Sequence, residues 1–119
     1  MNTHVCWMLE MQVREGREAD FRALMAEMAA ATEANEPGTL AYEWSLSADG
    51  RQCHLWERYA DSAAALVHGA TFGSRWATRF FDVLAPVRLV LYGSPSDHVK
   101  AALAPFNPVV MAPAAGFSR

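Results

Sequence analysis

His68 and Glu57 are the two side chains in this sequence best suited to moving a proton. His68 ends a short alanine-rich segment, Ala63 to Val67, and Gly69 follows it at once. Such apolar neighbours predict burial and an imidazole pKa near neutrality or below. The neutral ring is then a general base for a bound phenol. A histidine capping a helix C-terminus at the surface is the competing reading. Glu57 stands between Trp56 and Arg58 in an alternating run of the kind that forms strands, where carboxylates are uncommon. It is expected to orient His68 or to hold the substrate, with an ordinary ion pair to an arginine as the alternative.

Aromatic residues supply the surroundings for that chemistry. The chain holds four Trp, three Tyr and six Phe. Tyr42, Trp44, Phe72 and Trp76 are expected to wall an apolar pocket, with Tyr42 or an indole N–H steadying a phenolate. A flat, hydrophobic small molecule suits such a pocket. Plain core and interface packing is the alternative for any one of these rings. Arg79 is assigned to substrate binding, and Arg79 or Arg75 meeting Arg58 at the pocket mouth would indicate an anionic substrate.

Other chemistries lack their residues. The only lysine is Lys100, so no phosphate-binding loop of the G-x-x-x-x-G-K type exists. No G-x-G-x-x-G or G-x-S-x-G run is present. The histidines His4, His54, His68 and His98 show neither H-x-x-x-H nor H-E-x-x-H spacing. A metal site would need His54 and His68 to converge with a carboxylate. No cofactor and no metal are therefore expected. Basic residues number 10 against 13 acidic ones, and the nine arginines are scattered, so no stripe exists to grip nucleic acid. Cys6 and Cys53 form no C-x-x-C pair and read as buried free thiols in a reducing compartment. The start Met1-Asn2-Thr3-His4 lacks a basic leader, and prolines break the apolar stretch 101–117. A cytoplasmic protein without a membrane segment is expected.

The elements that must position these residues follow from periodicity. The 119 residues suit one domain. Val5 to Val13 alternates as a strand. Phe21, Leu24, Met25, Met28 and Thr32 share one face of a helix from about Glu18 to Asn35, which Glu36-Pro37-Gly38 stops. Thr39–Ser47 and Gln52–Tyr59 read as strands joined by a turn containing Asp49-Gly50. Asp61 caps a short helix over Ser62–His68, which Gly69-Ala70 is expected to break. A second amphipathic helix over Thr71–Leu84 precedes a strand over Val87–Tyr92. The order β-α-β-β-α-β predicts an α+β, ferredoxin-like antiparallel sheet. Its first strand is apolar on both faces, so a homodimer that stacks two sheets into a dimeric α/β barrel is expected. Residues 1–94 form this domain. Residues 95–119 form a C-terminal extension, with a helix over Asp97–Leu103 and an edge strand over Pro108–Ala112. The extension is expected to pack on the domain or on the partner, or to lid the pocket.

The run Glu36-Pro37-Gly38-Thr39-Leu40-Ala41-Tyr42-Glu43 resembles a signature of the antibiotic biosynthesis monooxygenase family. So does Leu55-Trp56-Glu57-Arg58-Tyr59-Ala60-Asp61, followed by His68. The resemblance covers Val5 to Tyr92 and implies the dimeric barrel. It also implies a cofactor-free monooxygenase that uses O2 on a small aromatic quinol or anthrone, with His68 as base and Glu57 beside it. Other branches of the family imply isomerisation or degradation of a small carbonyl compound, and a non-catalytic, stress-associated or ligand-binding homodimer whose cavity is filled by its own aromatics is a further alternative. The haem-degrading branch is disfavoured, because the first strand has no Asn and the helix after Thr71 has no His. The Pro-His pair that often follows the family histidine is replaced by Phe72-Gly73.

Overall fold

The alternation in the first strand divides the molecule into two faces. In the computed structural model, which describes residues 2–119, that segment is β1 (Val5–Val13). Val5, Trp7, Leu9 and Met11 are buried on its inner face, whereas Cys6, Met8 and Glu10 on the outer face are half-buried. Helix α1 (Glu18–Asn35) lays Phe21, Leu24, Met28 and Thr32 against the inner face. Strands β2 (Thr39–Leu46) and β3 (Gln52–Tyr59) follow as a hairpin, with Gly50 supplying the positive φ of the turn.

Helix α2 (Ser62–Thr71) begins where the Asp61 carboxylate accepts the Ala64 N–H at 2.9 Å. The expected break at Gly69-Ala70 does not occur. The helix runs on through a π-helical turn, Phe72–Trp76, into α3 (Ala77–Val83). A glycine lowers helix stability by only about 1 kcal/mol, which packing of a long amphipathic face overrides. The π turn, closed by the Ala77 N–H on the Phe72 carbonyl, adds a residue and turns Phe72 inward. Strand β4 (Leu84–Gly93) starts three residues before Val87. Pro86 is tolerated there because the β1–β4 register shifts between Glu10 and Met11. Helix α4 (Asp97–Leu103) is capped by Ser96, continues as a 3₁₀ turn (Ala104–Phe106) and leads to β5 (Val109–Val110).

The sheet order is β2-β3-β1-β4-β5, antiparallel except for β4–β5. The first four strands and their helices form the ferredoxin-like arrangement, and β5 adds a short parallel edge. Two glycines hold close approaches between neighbouring elements. At Gly38 a Cβ would lie 2.6 Å from the Ala64 Cβ, so α2 sits directly on the loop after α1. At Gly93 φ is +86° and a Cβ would meet the His4 carbonyl oxygen at 2.2 Å. Among the described residues, no helix is long and apolar enough to cross a membrane.

Candidate active site

Strand register places Trp7, Glu57 and Tyr42 in one row across the inner face, since Glu57 pairs with both Trp7 and Tyr42. Glu57 is 3% exposed. A carboxylate this deep needs donors, and the structure provides three. The Trp7 indole N–H donates to Oε2. The Tyr59 hydroxyl donates to Oε1 at 2.6 Å, and His68 Nε2 stands 3.2 Å from the same oxygen.

The other imidazole nitrogen is held as firmly. His68 Nδ1 lies 2.8 Å from Glu36 Oε1, which also accepts the Thr39 hydroxyl at 2.9 Å. Glu36 is fixed in turn by its place at the end of α1, where its N–H reaches the Thr32 carbonyl. The ring is thus gripped between two carboxylates, from the α1–β2 loop and from β3. The rings of Tyr42 and Tyr59 pack on it, with centroids at 5.3 and 5.5 Å.

This arrangement overturns the expected protonation state of His68. Burial is the largest influence and does lower the imidazole pKa, as the apolar neighbours suggest. The hydrogen bonds and charges of Glu36 and Glu57 together outweigh it and lift the pKa to about 9. The resting ring is an imidazolium at neutral pH. The Glu36 carboxyl is held below its usual range: burial opposes ionisation, but the His68 bond and charge and the Thr39 hydroxyl prevail. Burial, reinforced by the Glu57 charge, pushes both tyrosine hydroxyls up, so Tyr42 and Tyr59 stay neutral donors. The Tyr42 hydroxyl and the Trp44 indole N–H are buried with no hydrogen-bond partner among the described residues.

A cavity of about 380 Å³ opens beside the cluster. Its floor is the inner sheet face, with Leu9, Leu55 and Leu89, and Glu57, His68 and Tyr42 stand together in its wall. Phe72 lines it from the π turn, and Val99, Leu103 and Phe106 reach it from α4 and the 3₁₀ turn. Of the residues expected at the site, the fold brings His68, Glu57, Tyr42 and Phe72 together. Trp44, Trp76 and Arg79 lie elsewhere. Trp44 packs in the core against Phe21 and Phe80, because its row on β2 lies beneath α1. Trp76 is covered by the Arg75 guanidinium at 4.4 Å, and Arg79 pairs with Glu27 of α1 at 2.6 Å. His54 faces outward toward Glu10 at 3.7 Å and does not approach His68. Cys53 is buried, which pushes its thiol up to about 12, and Cys6 is half-buried.

Sequence reasoning missed Glu36, Tyr59 and Trp7 as members of the cluster. The signal for Glu36 was present, since it opens the Glu36-Pro37-Gly38 run, but there it reads simply as a helix stop.

Comparison with known proteins agrees with this architecture. Among curated proteins no relative matches the chain. The solved structure of MupZ from Pseudomonas fluorescens is 27% identical, with a TM-score of 0.86 over 99% of this chain and 96% of that one. Rv0793 from Mycobacterium tuberculosis is also 27% identical, with a TM-score of 0.65 over 79% of this chain and 96% of that one. SnoaB, a cofactor-independent oxygenase from Streptomyces nogalater, shares the fold at 20% identity and a TM-score of 0.65, over 79% of this chain and 95% of that one. The family model for antibiotic biosynthesis monooxygenases matches residues 5–86, a span that contains the Trp7, Glu36, Glu57 and His68 cluster, and on that match the chain belongs to the antibiotic biosynthesis monooxygenase family.

Proposed function

We propose that this chain is a cofactor-independent monooxygenase acting on a small, flat quinol- or anthrone-type substrate, with His68 as general base. The observation that carries the reading is an apolar cavity closed at one end by an imidazole gripped between Glu36 and Glu57. Ground-state O2 is a triplet and reacts slowly with closed-shell organic molecules. An ionised quinol or anthrone is electron-rich enough to reduce it directly. The protein must therefore remove one proton in a dry place and steady the anion left behind.

Neutral His68, with its Nδ1–H on Glu36, takes the substrate proton at Nε2, the nitrogen that faces Glu57 at 3.2 Å. The transfer restores the imidazolium, whose charge faces the new phenolate or enolate. That anion passes one electron to O2, the resulting radical and superoxide combine as a peroxide anion, and the imidazolium returns its proton to give the hydroperoxide. Loss of water leaves the carbonyl. For an anthrone the balance is CH2 + O2 → C=O + H2O, with no external reductant. The shared fold of SnoaB, a cofactor-independent oxygenase, is consistent with this chemistry. A phosphorylated carbonyl substrate would need arginines at the mouth. Arg58 is instead engaged with His4, Arg75 with Trp76 and Arg79 with Glu27.

Oxygen uptake with a panel of hydroquinones and anthrones tests the reading. The wild type is expected to turn over at least one of them, and His68→Ala to lower the rate by about 10²- to 10⁴-fold. Uptake untouched by the substitution removes His68 from the mechanism.

We also propose a homodimer formed through the outer sheet face. Cys6, Met8 and Trp56 are only half-buried there in the single chain, and Tyr92 is exposed. The C-terminal tail comes to the same face, with Ser118 Oγ 3.4 Å from Arg58, and leaves Phe117 largely exposed. Sedimentation equilibrium is expected to give about twice the 13.1 kDa chain mass, and a monomer at micromolar concentration rejects this arrangement.

A further inference from the structure

The cavity has a polar end and an apolar end. Its ionisable side chains, Glu57 and His68, touch each other at 3.2 Å, and the Trp7 N–H is bound to the same Glu57. The Tyr42 ring packs on His68. Every hydrogen-bonding side chain of the wall therefore belongs to one patch. The remaining lining side chains are apolar, and part of that wall is contributed by Val99, Ala102, Leu103 and Phe106. These four residues lie beyond residue 86, where the family match ends, so this roof is supplied by the C-terminal extension.

The roof is anchored at both ends. The Ser96 N–H donates to the Ser62 hydroxyl at 2.9 Å and ties the start of α4 to the start of α2. Val99 is 2% exposed in the core. Past the 3₁₀ turn, Asn107 takes a left-handed conformation (φ 49°), and the Met111 N–H then reaches the Leu91 carbonyl at 2.8 Å. None of the side chains that this roof presents to the cavity carries a hydrogen-bonding atom.

We propose that the C-terminal extension makes this a one-headed site, which selects ring systems carrying their oxygens on a single edge, with Leu103 and Phe106 as the specificity-determining residues. The inference builds on the substrate class proposed above and narrows it. A ring oxygen facing Glu57 and His68 finds partners. A second oxygen on the opposite edge faces the half-buried Leu103 and Phe106 and finds no hydrogen-bonding side chain there. Vicinal diols fit this rule, whereas 1,4-hydroquinones and anthrones, whose carbonyl lies across the ring from the reacting CH2, do not.

Two isomers isolate the effect, because naphthalene-2,3-diol and naphthalene-2,6-diol have the same rings and the same two hydroxyls. Calorimetric or fluorescence titration of the full chain is expected to show the 2,3-isomer binding about tenfold tighter or more. Leu103→Asn places an amide on the roof and is expected to narrow that ratio by strengthening the 2,6-isomer. Phe106→Tyr, which retains the ring, is expected to act in the same direction and covers the case in which Leu103→Asn fails to fold. Equal affinities in the wild type, or a ratio unmoved by a folded roof variant, overturns the proposal. Binding does not require turnover. Selective binding without oxygen uptake would therefore leave this inference standing while removing the monooxygenase reading.

Discussion

Replacing Glu57 by alanine is expected to destabilise the fold by about 3–5 kcal/mol, the largest loss for any single side chain of the cluster. The side chain accepts from Trp7 and Tyr59 and faces His68, all in the interior. Its removal leaves an indole N–H, a phenol and one side of a buried imidazolium without partners. Each orphaned neutral donor costs about 1–3 kcal/mol, and a charge costs more. Relaxation of the imidazolium toward its neutral form recovers part of the loss. Glu57→Gln retains one acceptor oxygen but points an amide N–H2 at groups that are themselves donors, so a smaller loss of about 1–3 kcal/mol is expected. Urea unfolding followed by tryptophan fluorescence measures both. A domain of this size commonly has about 5–15 kcal/mol of stability, so the alanine variant is expected to be marginal at 37 °C. A loss below about 1 kcal/mol for Glu57→Ala would mean that water reaches these donors freely, and the dry proton-transfer site would fall with it.

The strands and α1 were legible in the sequence because their signals are local. Val5 to Val13 alternates, and Phe21, Leu24, Met28 and Thr32 repeat at helical spacing, so each segment states its own buried face. The continuation of α2 through Gly69 was not legible, since a glycine reads as a break when the packing that overrides it is out of view. The site divides in the same way. His68 and Glu57 stood out as titratable groups in apolar surroundings. Their protonation did not, because the carboxylate that reverses it arrives from 32 residues away. Glu36 reaches His68 only because Gly38 lets α2 settle against the loop after α1. Trp44, Trp76 and Arg79 show the converse. Their types suit a pocket, but the strand row and the helix face that carry them lie outside it. Residue type thus indicated which chemistry was available, and only the tertiary apposition of α1, α2 and β3 decided which groups share it.

That apposition gives the protein a pH dependence of calculable sign. His68 titrates at about 9 in the folded chain against 6.5 when free, so the raised pKa stabilises the fold by roughly 3 kcal/mol at low pH. The stabilisation is full below pH 6.5, where folded and unfolded chains both hold the proton. It declines as the pH rises and is gone above about 9. Glu36, with its pKa below 4.5, contributes stability that is complete above 4.5 and lost as the pH falls through its lower folded value. Glu57, Tyr42 and Tyr59 are the other titratable groups facing the ring, and both tyrosines stay neutral across this range. The pair therefore predicts a stability plateau between about pH 4.5 and 6.5, with denaturation midpoints that fall toward pH 9. Activity runs the opposite way, because the base is the deprotonated ring: kcat/KM for oxygen uptake is expected to rise with pH and level off near 9. A phenolic substrate ionises in the same region, and Glu36→Gln separates the two sources. The amide still accepts the Nδ1–H but carries no charge, so the inflection is expected to move down by about one unit or more, and an NMR titration of His68 without substrate should move with it. An inflection that stays in place while the His68 resonance shifts would assign it to the substrate, and an unmoved resonance would deny Glu36 its hold on the ring.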